Sequence, residues 1–430
     1  MKIGIVSLGC CKNLVDTQKA MSFLKAGGHS FVDNPRKAEV IVINTCGFIN
    51  DAKQESIDTI LQMADYKENN LKYLIVMGCL VQRYKEQLQR ELPEVDLFIT
   101  IDEYEDLERI LNDFLNSKTI KEKKAVLAGS EHSAYLKIAD GCSNKCAYCA
   151  IPLIRKEYRS VRFEEILHQA KELEAIGVKE LNLIAQDTSR YGIDLYGRYR
   201  LADLLYELNK LDFHWIRILY MYPDEINDEL LEAMAVCDKV VPYFDIPVQH
   251  ASDRLLKLMN RRGSKKQIKA IIAKIRSKFK NPVLRTTIIV GFPTETDEDF
   301  EELLEFVEEI KWDKLGAFKY SLEEDTPSYD IKPEVDEKVA SERLEKLMLL
   351  QEKIAQKNNE KLIGQTIEVL VEGRDSLDKN LYQGRSYNNA PDGIDGHVRF
   401  RALRDIETGE IVNVRIDSVN IHDLFGKEAI

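Results

Sequence analysis

The chain has 430 residues, 44% of them hydrophobic and 31% charged, with a formal net charge of -12 from 61 Lys+Arg against 73 Asp+Glu. That length holds about two to four domains, the composition is that of a folded soluble protein, and no apolar run approaches the roughly 18 residues that would span a membrane. The acidic balance disfavours long non-specific contact with nucleic acid phosphates and suits the approach of a basic protein.

Residues 2–7, 40–44 and 73–77 are short apolar runs that predict strands, and the amphipathic stretches 51–66 and 80–90 predict helices. The alternation gives a parallel α/β domain. The apolar stretch that ends at Cys10 is too short for a secretory signal, so we expect a buried first strand and a cytoplasmic protein. Cys10, Cys46 and Cys79 each come just after one of the three strands. In an open parallel sheet the carboxyl ends of the strands share one edge, so residues far apart in sequence can meet there. Chance burial of three cysteines for packing is the alternative. Cys11, leaving an extended strand end in another direction, reads as a packing or spare thiol.

Residues 112–130, with Lys118, Lys121, Glu122, Lys123 and Lys124, read as a charged connector. Six candidate strands follow at 135–139, 180–185, 215–220, 243–248, 284–290 and 315–320, with helical patterns between most of them. This order predicts a barrel or incomplete barrel with its site at the C-terminal mouth. After the first of these strands stands Gly141-Cys142-Ser143-Asn144-Lys145-Cys146-Ala147-Tyr148-Cys149. Three thiolates can hold a 4Fe-4S cluster and leave one iron open to another molecule. Zinc would need a fourth protein ligand, and neither His132 nor His168 completes a familiar local spacing. Placement after a barrel strand favours iron-sulfur chemistry.

A long helix is expected over 337–361, with Leu344, Leu347, Met348 and Ile354 on its apolar stripe, packed against the barrel. Strands at 366–371, 397–401 and 411–419 then predict a small β module suited to partner recognition. The expected division is 1–120, a linker at 121–131, a barrel domain at 132–362 and the β module at 363–430.

Gln186, Asp187 and Gln249 follow barrel strands and can hydrogen-bond a cofactor or substrate, while Gly291 would let a cofactor approach the backbone. Each has the alternative of a structural loop start. Arg217 and Arg285 lie within apolar strands, where a guanidinium needs an acidic partner, either a cofactor carboxylate or an internal salt bridge. Cys237 reads as packing, and His250 is assigned no role.

CxxxCxxC with Tyr148 before the last cysteine, at the first strand of a six-strand βα domain, resembles the radical S-adenosylmethionine superfamily. The resemblance implies that Cys142, Cys146 and Cys149 hold a 4Fe-4S cluster whose open iron binds S-adenosylmethionine, the source of a 5′-deoxyadenosyl radical. With Cys10, Cys46 and Cys79 upstream and a terminal module similar to a TRAM domain, it narrows to the methylthiotransferases and covers nearly the whole chain. The implied fold is an N-terminal parallel α/β domain, a central open (β/α)6 radical-SAM partial barrel and a C-terminal small β-barrel-like TRAM domain. The implied cofactors are two 4Fe-4S clusters and S-adenosyl-L-methionine, with Tyr148, Gln186, Asp187, Arg217, Gln249, Arg285 and Gly291 as cofactor-binding candidates.

Ser7-Leu8-Gly9-Cys10-Cys11-Lys12-Asn13-Leu14-Val15-Asp16 is more similar to the RimO type, which modifies an aspartate of the twelfth protein of the small ribosomal subunit, than to the MiaB type, which modifies a tRNA adenosine. Cys11 departs from the usual RimO-type pattern. Gln383 to Tyr387 and Ala390 to Gly396 resemble the RimO-type module apart from an extra glycine at 393, and residues 363–430 carry 12 acidic and 8 basic residues, a formal -4. Such a surface fits a basic protein better than tRNA. The implied partners are the ribosomal protein, free or in the assembled subunit, an electron donor and a sulfur donor, with no membrane and only incidental RNA contact. The competing readings are a tRNA adenosine methylthiotransferase and a non-enzymatic RNA- or ribosome-binding metalloprotein.

Overall fold

The computed structural model describes residues 1–119, 122–376 and 378–429. The expected division between residues 120 and 121 therefore lies outside the described residues. The chain forms two compact units, one of Met1–Gly129, Ala139–Val161 and Ser321–Tyr329, the other of Ser130–Ile138, Arg162–Tyr320 and Asp330–Ile430.

The first unit is built on a parallel five-stranded sheet whose strands, in spatial order, are Ser30–Phe31, Lys2–Ser7, Val40–Thr45, Tyr73–Gly78 and Leu97–Ile99. All six residues of Val40–Thr45 are buried, because helices cover both faces and a central parallel strand then reads as a continuous apolar run. Ile41, Ile43, Leu74 and Val76 face one core, Val40, Val42, Ile75 and Met77 the other. The three predicted strands are present, and so are the helices expected at 51–66 and 80–90, as Asn50–Ala64 and Cys79–Glu91. The two edge strands and the helix Cys11–Ala26 were not anticipated. Cys11 thus opens a helix and is buried there, which replaces the extended strand end expected for it.

In the second unit six parallel strands form two three-stranded sheets, Trp215–Ile218, Glu180–Ile184 and Ser133–Lys137 in one, Tyr243–Asp245, Val283–Val290 and Lys314–Lys319 in the other. The sheets meet through a bridge from Ile216 to Val240 and the Met221 N–H donating to the Asp245 carbonyl, and among the described residues Ser133–Lys137 does not pair with Lys314–Lys319, so the barrel is open. The first strand ends two residues earlier than expected. Ala139–Asp140 pairs instead with Arg159–Ser160 in a separate antiparallel ladder of the first unit. The helix Glu337–Glu360 buries Ala340, Arg343, Leu347, Gln351, Ile354, Ala355 and Asn359, a stripe more polar than expected.

The terminal module is a closed five-stranded barrel in the order Thr366–Arg374, Tyr382–Arg385, Val398–Arg401, Leu424–Glu428 and Ile411–Val419. Val369, Val371, Val398, Phe400, Val414 and Ile416 fill it, and closure leaves no exposed sheet edge.

Candidate functional site

The three strands followed by Cys10, Cys46 and Cys79 are neighbours in the sheet, so all three cysteines leave its carboxyl edge side by side. All three are thiols. Cys46 and Cys79 are buried and Cys10 is exposed. Two glycines permit the approach. A Cβ on Gly9 (φ 84) would lie 2.8 Å from the Cys46 Cβ and 3.0 Å from its Sγ, and one on Gly78 (φ 107) would collide with Asn44 Oδ1 at 2.3 Å.

Asn13, fully buried, ties the three strand ends together. Its Nδ2 donates to the carbonyls of Leu8 (3.1 Å) and Thr45 (3.0 Å), and its Oδ1 accepts from the Cys79 thiol at 3.4 Å. One amide therefore fixes the residues that present each cysteine. Asn44 donates in turn to the Asn13 carbonyl at 2.8 Å.

Burial pushes the Cys46 thiol up, and burial pushes Cys79 up to about 12 even though the Arg155 guanidinium opposes it. Cys10 adds to the rise at both, which places the three sulfurs within electrostatic reach of one another. At Cys46 and Cys79 the protonated thiol is thus the stable form unless a cation binds, and a metal deprotonates a coordinating thiol outright. Cys10 caps one helix and Cys79 begins another, so both stand at the positive end of a helix dipole. The nearby Tyr104 hydroxyl, whose ionisation is pushed well up by burial, is buried without a hydrogen-bond partner among the described residues. This donor set fits an iron-sulfur cluster. Among the described residues no three or more His, Cys, Asp or Glu side chains could hold a metal ion as they stand. A cubane differs in that each thiolate binds its own iron, so its ligands stand apart.

The second cysteine set lies on a loop of the same unit. Gly141 (φ 75) leaves no room for a side chain, since its Cβ would meet the Glu157 carbonyl at 2.1 Å. The Cys142 N–H donates to the Lys156 carbonyl (3.0 Å), the Tyr158 N–H to Ser143 Oγ (3.1 Å), the Cys149 N–H to the Cys146 carbonyl (3.1 Å), and the Ser328 N–H to the Ala147 carbonyl (2.9 Å). Cys146 is buried, while Cys142, Tyr148 and Cys149 are half-buried. Ala150 and Ile154, just past the loop, pack with Cys79 in one apolar cluster.

The remaining candidates belong to the second unit. Gln186 and Asp187 follow the Glu180–Ile184 strand, with Asp187 fully buried and accepting from Ser189 Oγ at 2.7 Å. Gln249 holds φ 72 and bridges to Ile288 through its backbone. Gly291 follows Val283–Val290, but the close approach seen there is to Ala340, 2.7 Å from its would-be Cβ, and its N–H donates to Glu295 Oε2 at 2.8 Å.

Arg217 and Arg285 have internal carboxylate partners. Arg217 Nη2 and Nε donate to Glu180 Oε1 at 2.9 and 3.1 Å, and Nη1 donates to the Tyr387 carbonyl at 2.9 Å. Arg385 Nη2 from the terminal barrel reaches Glu180 Oε2 at 2.7 Å. Burial alone would push the Glu180 carboxyl up, but Arg385 and Arg217 outweigh it and hold it at about 2. Arg285 pairs with Asp245 at 3.1 Å and Asp395 at 3.5 Å. Both arginines thus join barrel strands to the terminal module. Cys237 is buried in apolar packing, and His250, with burial lowering it to about 4, accepts from the Ser252 N–H at 3.0 Å.

Neither Asn13 nor Arg155 is among the site residues expected from the sequence. Arg155 carries the signal that singled out Arg217 and Arg285, a cation in the apolar run Ile151-Pro152-Leu153-Ile154-Arg155.

Residues 136–307 match the Radical SAM superfamily, residues 363–428 the TRAM domain, and residues 2–100 the Uncharacterized protein family UPF0004. Among solved structures, the radical S-adenosylmethionine methyltransferase TsrM from Kitasatospora setae superposes with a TM-score of 0.58 at 10% identity, covering 76% of this chain and 77% of that one. The cobalamin-dependent S-adenosylmethionine radical enzyme OxsB gives 0.51 at 13% identity over 81% of this chain and 56% of that one. Both are likenesses of fold. Curated relatives named ribosomal protein uS12 methylthiotransferase RimO are similar throughout, one from Clostridioides difficile (strain 630) being 46% identical over 99% of this chain and 98% of its own length. Another, from Aquifex aeolicus (strain VF5), is 46% identical over 100% of this chain and 97% of its own. Similarity of that depth over both full lengths means that the chain belongs to the RimO family of ribosomal protein uS12 methylthiotransferases.

Proposed function

We propose that this radical S-adenosylmethionine enzyme inserts a methylthio group at the β-carbon of an aspartate in ribosomal protein uS12. The observation that carries the reading is full-length similarity to enzymes named for uS12, in a chain whose first cysteine set gathers at one sheet edge. Cys142, Cys146 and Cys149 would hold one 4Fe-4S cluster and Cys10, Cys46 and Cys79 a second. The cluster at Cys142, Cys146 and Cys149 would supply, with S-adenosylmethionine, radical chemistry, and the one at Cys10, Cys46 and Cys79 would supply a place for the sulfur being transferred.

The protein's own part is to bind and exclude. Asn13 orients the first set, and the hydrogen-bonded loop at 141–149 orients the second. Tyr148, Gln186, Asp187, Gln249 and Gly291 are the candidates for S-adenosylmethionine contact. Arg217 and Arg285 we reassign to holding the terminal module, because protein carboxylates already neutralise them. We assign the first cluster to 1–120, radical chemistry to 132–362 and substrate recognition to 363–430, whose excess of acid suits a basic ribosomal protein. An electron donor and a sulfur donor complete the reaction. Among the described residues no helix is long and apolar enough to cross a membrane. A ribosomal substrate supports a cytoplasmic reaction.

The test is a paired incubation of the anaerobically reconstituted, reduced enzyme with S-adenosylmethionine and either uS12 or tRNA. A methylthio mass gain on uS12 is expected, with about eight irons per chain. A gain on tRNA with none on uS12 would replace this reading with the adenosine one. No release of 5′-deoxyadenosine would leave only a binding role.

A further inference from the structure

We propose that Arg155 is a positioning residue that holds both cysteine sets through one guanidinium and raises the reduction potential of the cluster bound by Cys10, Cys46 and Cys79. The inference rests on the two-cluster reading above. Arg155 ends the short helix that follows Cys149, and its side chain is 2% exposed. Nη1 makes a two-oxygen contact with Asp140 at 2.9 and 3.1 Å. Asp140 in turn accepts from the Gly141 N–H at 2.9 Å, one residue before Cys142. Nη2 donates to Asn13 Oδ1 and to Asp16 Oδ2, both at 2.8 Å, and reaches Cys79 Sγ at 3.9 Å.

A single planar cation therefore spans from the loop of one cysteine set to the hub and one ligand of the other. A planar fork with fixed donor directions does this where a lysine ammonium would not. The backbone repeats the link, since the carbonyl of the next residue, Lys156, accepts from the Cys142 N–H at 3.0 Å. Lys156 holds φ 61 and ψ -153, a conformation natural to glycine, and that conformation aims the carbonyl.

Electrostatics gives the direction of the effect. A buried positive charge beside a ligand sulfur stabilises the cluster form carrying one more electron, and hydrogen bonds to sulfur tune potentials in the same sense. Removing it would leave Asp16 and Asp140 without their shared counter-charge and disfavour reduction further.

The experiment uses the full chain with Cys142, Cys146 and Cys149 replaced by Ala, so that only the upstream cluster can form. With Arg155 intact, anaerobic reconstitution should give about four irons, and no iron at all would sink the two-cluster reading itself. Arg155→Gln should keep the iron and hold about tenfold less reduced cluster at a fixed potential, read by electron paramagnetic resonance, which is about 59 mV for one electron. Arg155→Lys should recover part of the shift. Unchanged midpoints with iron retained would overturn the proposal while leaving the cluster reading standing. If neither variant holds iron, Asp140→Asn decides. The contacts described for it are to Arg155 and the Gly141 N–H, so a changed upstream signal supports the link and an unchanged one overturns it.

Discussion

Glu180→Gln tests the buried charge cluster that joins the terminal barrel to the strands beneath it. Glu180 is fully buried and bonded to Arg217 and Arg385, whose side chains are 0% and 1% exposed. The amide preserves shape but leaves Arg217 in a dry site without its carboxylate and Arg385 with Glu372 alone at 2.6 Å, a loss of about 3–5 kcal/mol for a broken buried pair. A second route gives a similar size, since a carboxyl held at about 2 against 4.5 for the free group corresponds to roughly 3 kcal/mol. Because that value is depressed in the fold, the contribution is present above pH 4.5 and is lost as pH falls toward 2. Both tryptophans, Trp215 and Trp312, are buried in the second unit, so their fluorescence reports its unfolding. With a urea dependence near 3 kcal/mol per molar, the midpoint should fall by about 1 M. Iron content should not change, because all six candidate ligands belong to the first unit. Replacing the trio together, Glu180→Leu with Arg217→Met and Arg385→Met, should recover most of the loss. A shift below about 0.3 M for Glu180→Gln would refute the reasoning, since the arginines would then be satisfied without the carboxylate.

Cys146→Ala should halve the iron and abolish 5′-deoxyadenosine, whereas Cys46→Ala should halve the iron and abolish methylthiolation while retaining some 5′-deoxyadenosine; a Cys46 variant with full iron and full product would break the first ligand set. Lys156→Gly should stabilise the first unit, because relieving the backbone is worth about 1–3 kcal/mol and exceeds the exposed Lys156–Asp102 pair at 2.6 Å, read as a higher thermal midpoint. Gly291→Ala should destabilise the second unit by about 1–3 kcal/mol, since the new methyl meets Ala340 at 2.7 Å and φ is 73, and hydrogen exchange should rise along Glu337–Glu360.

The sheet was legible because central parallel strands are unbroken apolar runs, and the first cysteine set because each member sits one to three residues past such a run. Cys11–Ala26 was not, since the face it buries includes Lys12, Asn13, Asp16 and Thr17, and no apolar period marks a helix that buries polar groups. For the same reason nothing in the sequence marks the task of the hub Asn13. The partners of Arg217 and Arg285 stayed open because Glu180, Asp245 and Asp395 are far from them in sequence and only the closed terminal barrel brings Asp395 near. Ser30–Phe31 and Leu97–Ile99 are two and three residues long, below the length at which a pattern can repeat.

The threading of the first unit bears on how the protein is made. Its sheet is complete once residue 129 has been synthesised, yet Cys79 meets Ala150 and Ile154 only later, and the last segment, Ser321–Tyr329, follows about 200 residues after Gly129, on the order of 10–40 s of translation. Until residues 150–154 have been made, Cys79 lacks the apolar cover they give it. The first unit is therefore closed only after the intervening residues of the second have been made.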